Sequence, residues 1–243
     1  MPMLDEGTDY AARAAWMNRL YADAPAAEVI RATLAAFPGR VAVVSSFGAD
    51  SAVLLDLVAE VDPATPVLMV ETGMLFAETL TYQRDLAAHL GLSDVRPLRP
   101  EAGALERADP QRALYSTDPD TCCALRKRAP LDAVRAAFPV LINGRKRHQA
   151  ATRAALPVFA ADHAGLSVTP LAAWAVQDLA EHRVGRGLPA HPLVARGFAS
   201  VGCAPCTTAV APGEDPRAGR WRGREKTECG LHFGAGGAVR RAG

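Results

Sequence analysis

The sequence predicts an α/β fold, a mostly parallel sheet flanked by helices and followed by a loop-rich C-terminal tail. Three observations carry this reading. The short, apolar, largely β-branched runs Val41–Val44, Pro66–Val70 and Val140–Ile142 have the character of strands buried on both faces. Two of them lead through a small or polar loop into helical periodicity, the alternation that builds parallel sheets. From Gly185 onward glycine and proline become dense, so roughly the last sixty residues should drape over the sheet rather than extend it.

In chain order, residues 9–21 carry apolar side chains at helical spacing, and a second helix is predicted from Pro25 to Phe37, ended by Pro38-Gly39. Val41–Val44 is the first core strand. Ser45-Ser46-Phe47-Gly48-Ala49-Asp50-Ser51 follows, then an apolar helix from Ala52 to Glu60. A strand that gives way to a small-residue loop and a helix N-terminus offers free N–H groups and a positive dipole end, an anion site. Neither a Walker pattern nor a dinucleotide glycine pattern is present. The next strand, Pro66–Val70, ends in Glu71-Thr72-Gly73, on the rim where an open α/β sheet holds its ligand. A helix from Phe76 to Leu90, a weaker strand at Val95–Leu98 and a loop from Pro100 to Pro119 containing a short helix come next. Another helix runs from Thr121 to Phe138 with a break at Pro130. Val140–Ile142 delivers Asn143-Gly144-Arg145-Lys146-Arg147-His148-Gln149 to the same rim. Leu166–Pro170 reads as an edge strand and Ala173–Arg183 as a helix.

A chain of 243 residues, 49% apolar and 22% charged, needs only one core. It divides into a helical cap (1–40), an α/β core (41–200) and a cysteine-bearing loop with tail (201–243), all within one domain. With 27 basic and 26 acidic side chains the net charge is +1, which gives no bulk electrostatic reason to expect nucleic acid or a membrane surface as partner. The start is acidic and lacks a basic-then-apolar leader, and no run of 18 apolar residues occurs, so a cytoplasmic location is expected. Assembly into a homo-oligomer is left open.

In a reducing compartment five cysteines are expected to be ligands or catalysts. Cys203-Ala-Pro-Cys206 allows three readings: a redox dithiol, half of a zinc site or half of an iron-sulfur site. The adjacent pair Cys122-Cys123 is unusual for zinc, whereas in a cluster each thiolate takes a different iron; spacing weighs for iron-sulfur. Arg126 and Lys127 would offset the thiolate charge. Cys229 stands apart, with Lys226 and His232 three residues to either side, both able to favour its thiolate, the nucleophilic form. Arg217 and Arg220, in Pro212-Gly-Glu-Asp-Pro-Arg-Ala-Gly-Arg-Trp221, suit an anion.

These motifs together, Ser45–Ser51, Cys122-Cys-x-x-Arg126-Lys127, Cys203-x-x-Cys206, Gly213–Trp221 and Lys226-Thr-Glu-Cys-Gly-Leu-His232, resemble the assimilatory adenylyl-sulfate reductases within the wider phosphoadenylyl-sulfate reductase family. The resemblance spans Val41 to His232. It implies an adenine-nucleotide-hydrolase-like domain, a 4Fe-4S cluster on Cys122, Cys123, Cys203 and Cys206, and reduction of adenosine 5'-phosphosulfate to sulfite and AMP. Thioredoxin or glutaredoxin would be the reductant. Cys229 would be the nucleophile, and Lys127, Arg147, Arg217 and Arg220 would clamp phosphate and sulfate. The loop residues Ser45, Ser46, Phe47, Gly48 and Ser51 would hold the nucleotide with Glu71, Thr72 and Gly73, and His232 would complete the substrate site. The family commonly has Asp where Glu71 stands, a basic residue near Met74 and an acidic one at His148. Two alternatives accompany this reading: a reductase using the 3'-phosphorylated substrate, and a zinc-stabilised nucleotide-binding module without turnover.

Overall fold

The computed structural model describes residues 9–162, 164–224, 226 and 228. The two N-terminal helices are α1 (Tyr10–Tyr21), opened by the Asp9 carboxylate accepting from the Ala12 N–H at 2.9 Å, and α2 (Ala26–Ala36). After them β1 (Val41–Ser45) enters the centre of a six-stranded sheet and leads into α3 (Ser51–Val61). The chain continues through β2 (Val67–Val70), α4 (Ala77–His89) and β3 (Val95–Leu98). Short helices α5 (Ala102–Ala108), α6 (Leu114–Thr117), α7 (Pro119–Cys123) and α8 (Ala129–Asp132) precede β4 (Val140–Asn143). Then come β5 (Phe159–Asp162), β6 (Gly165–Val168) and α9 (Val176–Gly185).

The strand order is β3-β2-β1-β4-β6-β5, with every pairing parallel except β5 against β6. Side chains alternate between two apolar layers as the two-residue period of a strand requires. Val41, Val43, Val67, Met69, Val140 and Ile142 join the larger core with Ile30, Phe37, Leu55 and Phe159. Ala42, Leu68 and Leu141 face the other way, against Leu131 and Phe138. The chain leaves β1 toward β2 and β3 on one side and returns as β4 on the other. The loops after β1 and β4 therefore flank a topological switch point, where such sheets bind ligands.

Two expectations are corrected. Leu166–Pro170 is not an edge strand: β6 is buried along its whole length between β4 and β5. On this side the edge is β5, whose alanine-rich sequence gives no strong strand signal. Asn18 of α1 covers it, donating to the Phe159 carbonyl at 2.7 Å and accepting from the Phe159 N–H at 3.0 Å, which blunts an edge that would otherwise invite pairing. The helix expected to run from Thr121 to Phe138 with a break at Pro130 is instead continuous through Pro130, which lies inside α8, and ends at Asp132; its irregularity comes one turn earlier. Residues Ala124–Arg128 form a π-helical turn, with the Ala129 N–H bonded to the Ala124 carbonyl. Proline at 130 cannot donate to the preceding turn, and the backbone widens there instead of kinking.

The start of β6 depends on Gly165. Its φ is +148°, and a Cβ there would stand 1.9 Å from the Pro139 carbonyl oxygen. Gly165→Ala is expected to lower unfolding stability by about 3 kcal/mol or more. Gly185→Ala, in open space within a helix, serves as control. Equal urea midpoints for the two variants would contradict this packing.

Candidate functional site

The loop after β1 is shaped by its own side chains. The Ser45 hydroxyl accepts from the Phe47 N–H at 3.1 Å, and Phe47 adopts φ +47°, a conformation uncommon for a bulky residue. Its ring is wholly buried in the core, so Phe47 offers the crevice its backbone. Ser46 is exposed. Gly48 passes Val201 so closely that a Cβ would lie 3.2 Å from the Val201 carbonyl oxygen. At the start of α3, Ser51 closes the turn by donating its N–H to the Gly48 carbonyl at 3.1 Å. Asp50 occupies the N-cap of α3 but makes no side-chain cap bond to it. Its carboxylate instead accepts from Lys146 Nζ at 2.7 Å, a bond that crosses the switch point from the β4 loop.

Lys146 was one of four basic or potentially basic residues in sequence, and the structure separates their tasks. Lys146 is 1% exposed, and burial lowers its pKa; Asp50 opposes the shift, while Arg153 and Arg217 add to it. Three cations thus converge near the crevice. Arg147, named from sequence as a clamp residue, spends its Nε on the Leu156 carbonyl at 2.9 Å. Arg145 is buried and donates to Asn143 Oδ1 and Ser167 Oγ, bracing the end of β4. His148 binds the Trp174 carbonyl oxygen at 2.9 Å through Nδ1. Arg153 was not singled out from sequence; lying beyond the basic run, it carried no local signal.

On the other side of β1, Glu71 accepts from the Gly73 N–H at 2.6 Å and from Arg99 Nε at 3.1 Å, and Gly73 holds φ +70°. Thr72 is buried and stands 3.3 Å from Cys203 Sγ through its hydroxyl. The Ala204 N–H donates to the Met74 carbonyl at 2.8 Å, so the rim after β2 anchors the Cys203–Cys206 turn directly.

Cys122, Cys123, Cys203 and Cys206 line one pocket, together with Arg126 and Lys127. The π-helical turn brings these two cations to the cysteine pair, and both are buried. Burial first, and then the neighbouring sulfurs, push the Cys122 thiol up to about 11 against the pull of Arg126. Cys206 is raised by burial and Cys203, and opposed by Lys127, Arg224 and Arg220. Burial thus keeps the Cys122 and Cys206 thiols protonated unless a metal supplies positive charge. No three or more His, Cys, Asp or Glu side chains among the described residues converge into a cage for a single ion.

Three buried N–H groups lack a hydrogen-bond partner here, Arg126 Nε, Arg220 Nε and Trp221 Nε1. Arg126 is otherwise fixed, donating to Asp109 at 2.7 Å and to the Thr72 carbonyl at 3.0 Å. Burial alone would raise the Asp109 pKa, but hydrogen bonds from Arg126, Leu114 and Ala113 hold it below the ordinary value. Trp221 takes φ +50°, and its backbone N–H donates to the Cys206 carbonyl at 3.0 Å. Arg220 lies over the Trp221 ring at 4.6 Å and donates to the Val201 carbonyl at 3.3 Å. A Cβ at Gly202 would fall 2.3 Å from Arg220 Nη2, so glycine is needed for that arginine to cross the backbone. Arg217 stands 3.6 Å from Glu228. Cys229 and His232, the expected nucleophile and its companion, lie outside the described residues.

The phosphoadenosine phosphosulfate reductase domain matches residues 40–209. An adenosine 5'-phosphosulfate reductase from Mesorhizobium japonicum is 47% identical over 230 residues, covering 94% of this chain and 90% of the relative. One from Mycolicibacterium smegmatis is 40% identical, covering 87% of this chain and 89% of its own. A phosphoadenosine 5'-phosphosulfate reductase from Gloeobacter violaceus is 37% identical, covering 89% and 92%. Among solved structures, the phosphoadenylyl-sulfate reductase of Candida auris superposes with a TM-score of 0.70 at 19% identity, over 86% of this chain and 99% of that one, a likeness of fold. With its switch-point crevice, its cysteine-lined pocket and these matches, the chain belongs to the phosphoadenosine phosphosulfate reductase family.

Proposed function

We propose that this protein reduces adenosine 5'-phosphosulfate to sulfite and AMP in sulfate assimilation, using thioredoxin or a similar dithiol. The observation that carries the reading is the meeting of four cysteines, three of them buried and Cys206 half-buried, with Arg126 and Lys127 in one pocket beside the crevice, in a chain whose tail holds a fifth cysteine.

The donor set suits a 4Fe-4S cluster. Four soft thiolates would supply the ligands, and the unpartnered Arg126 Nε and Trp221 Nε1 are N–H groups of the kind that bond to cluster sulfurs. When bound, such a cluster would supply a compact, sulfur-rich charge next to the substrate's anionic end. Lys127, Arg217 and Arg220 would neutralise the phosphate and sulfate, whose mutual repulsion opposes attack by another anion. Arg147, whose Nε is held by the Leu156 carbonyl, would join this clamp, and Lys146 and Arg153 would add positive charge to it. The Ser45–Ser51 loop and Glu71-Thr72-Gly73 would hold the nucleotide at the switch point.

The Cys229 thiolate would attack the sulfate sulfur. The bond from sulfur to the bridging oxygen breaks, its electron pair leaves with AMP, and the sulfonyl group stays on Cys229. A thioredoxin thiolate then attacks the Cys229 sulfur; the sulfur-sulfonyl bond breaks, and sulfite departs with the electron pair. The second thioredoxin thiol resolves the mixed disulfide, so two electrons in total come from the dithiol. A reducing cytoplasm is the compartment in which that donor and a free Cys229 persist. The unphosphorylated substrate is favoured because reductases using the 3'-phosphorylated one typically lack the two cysteine pairs. The more identical relatives also bear the adenosine 5'-phosphosulfate reductase name.

Cys229→Ser is expected to abolish sulfite release and the uptake of radiolabelled sulfonyl group. Uptake at wild-type stoichiometry would refute the nucleophile. In parallel, kcat/KM for adenosine 5'-phosphosulfate should exceed that for its 3'-phosphorylated form by about 100-fold, the discrimination that about 3 kcal/mol provides. The reverse preference would make the chain a reductase of the phosphorylated substrate.

A further inference from the structure

Between Thr207 and Trp221 the chain makes an excursion in which only Gly219 is buried, so apolar packing does not set its shape. It nevertheless carries Arg217 to the crevice, near enough to Lys146 to bear on that ammonium. The base of the excursion is closed by backbone: Thr207 and Arg220 form an antiparallel bridge, and the Thr208 N–H donates to the Gly219 carbonyl at 2.9 Å. The two limbs lie so close there that a Cβ at Gly219 would stand 2.1 Å from the Thr208 carbonyl oxygen. Its tip is closed by Arg222. That guanidinium donates through Nη1 and Nη2 to the two Glu214 oxygens at 2.6 and 2.9 Å, through Nε to Thr208 Oγ1 at 3.1 Å, and through Nη2 to the Ala209 carbonyl at 3.2 Å. Glu214 in turn accepts from the Ala211 N–H at 2.9 Å. One side chain thus joins the outgoing limb, the far turn and the returning limb, with a planar fork that fixes angle as well as distance. Bonds from Arg222 and then from the Ala211 N–H draw the Glu214 pKa down to about 2, so the carboxylate is charged at neutral pH. At 45% and 29% side-chain exposure the pair adds little to global stability, and what it contributes is geometry.

We propose that Arg222 is a positioning residue: braced on Glu214, Thr208 and Ala209, it sets the reach of Arg217 to the substrate anion without touching that anion itself. Arg220 has anchors of its own in the Trp221 ring and the Val201 carbonyl. Arg217 has its backbone fixed only within the excursion, its N–H donating to Asp215 Oδ1 at 2.6 Å and its carbonyl accepting from the Arg220 N–H at 2.8 Å. Whatever sets the shape of the excursion therefore sets the place of Arg217. The inference rests on the reductase reading for the role of Arg217, and on the contacts of Arg222 alone for the brace.

The experiment compares wild type with Arg222→Ala, Arg222→Lys, Arg217→Ala and the combination of Arg217→Ala with Arg222→Ala, all as full-length, cluster-loaded proteins. Four quantities are read: the Kd of AMP, the Kd of adenosine, the single-turnover rate of radiolabelled sulfonyl transfer from adenosine 5'-phosphosulfate, and the urea midpoint. Arg222→Ala should weaken AMP by about tenfold, the order of one hydrogen bond to a charged group, and slow transfer at least as much. Adenosine, which lacks the anion, should bind within about twofold of wild type, and the urea midpoint should not move. Arg222→Lys keeps the charge without the fork and should recover only part of the loss. In the Arg217→Ala background, removing Arg222 should cost less than about twofold more in AMP affinity, because the brace then has nothing to aim. Wild-type AMP affinity in Arg222→Ala, or losses that multiply in the combined variant, overturn positioning through Arg217. An equal loss of adenosine binding, a lowered urea midpoint or full recovery by lysine overturns it too. Absence of label on the wild-type protein overturns the reductase reading instead, and the AMP comparison then still decides whether Arg222 braces Arg217.

Discussion

The interaction on which the site depends is the gathering of four largely buried thiols beside two cations, two of the thiols brought by a C-terminal segment that has almost no apolar core of its own. Past α9 the described chain contains only short turns, and what keeps Val201–Trp221 against the sheet is specific: the Met74 carbonyl on Ala204, the Thr72 hydroxyl near Cys203, and the Cys206 carbonyl on Trp221. These contacts draw Cys203 and Cys206 onto the helix that bears Cys122 and Cys123. Apolar burial stabilises without direction, whereas hydrogen bonds fix both position and orientation. A tail held this way can carry charged groups over a crevice, where a packed apolar segment would close it.

The sheet supplies the other half of the arrangement. Because β1 has β2 on one side and β4 on the other, loops separated by about a hundred residues in sequence face each other across one gap. The Lys146–Asp50 pair spans that gap with a buried ammonium, whose desolvation is tolerable only beside the carboxylate. The π-helical turn before Pro130 performs a similar service for Arg126 and Lys127, aiming both at the cysteine pocket from consecutive positions. Backbone irregularity is concentrated at this site, in the left-handed Phe47 and Trp221 as well as in the π turn.

Much of this was legible in the sequence, and the reasons differ by element. The strands β1, β2 and β4 were readable because burial on both faces demands continuous apolar runs, and the cysteines because paired thiols are rare outside metal or redox sites. The edge strand β5 was not, since Phe159–Asp162 is half covered by Asn18 and needs no apolar alternation. The basic run after β4 announced an anion site but not which member turns inward; that depends on β4 register and on Asp50, 96 residues earlier. Arg153 was invisible for the same reason, its partner Glu228 being 75 residues further on. Periodicity reports which face of an element is buried, and it says nothing about ion pairs between distant loops.

Iron and acid-labile sulfide, counted per chain on protein purified without oxygen, test the central claim most directly. The account predicts about four of each, both lost when Cys122 or Cys203 is replaced by serine. One zinc per chain with no sulfide, bound by the same cysteines, would contradict it.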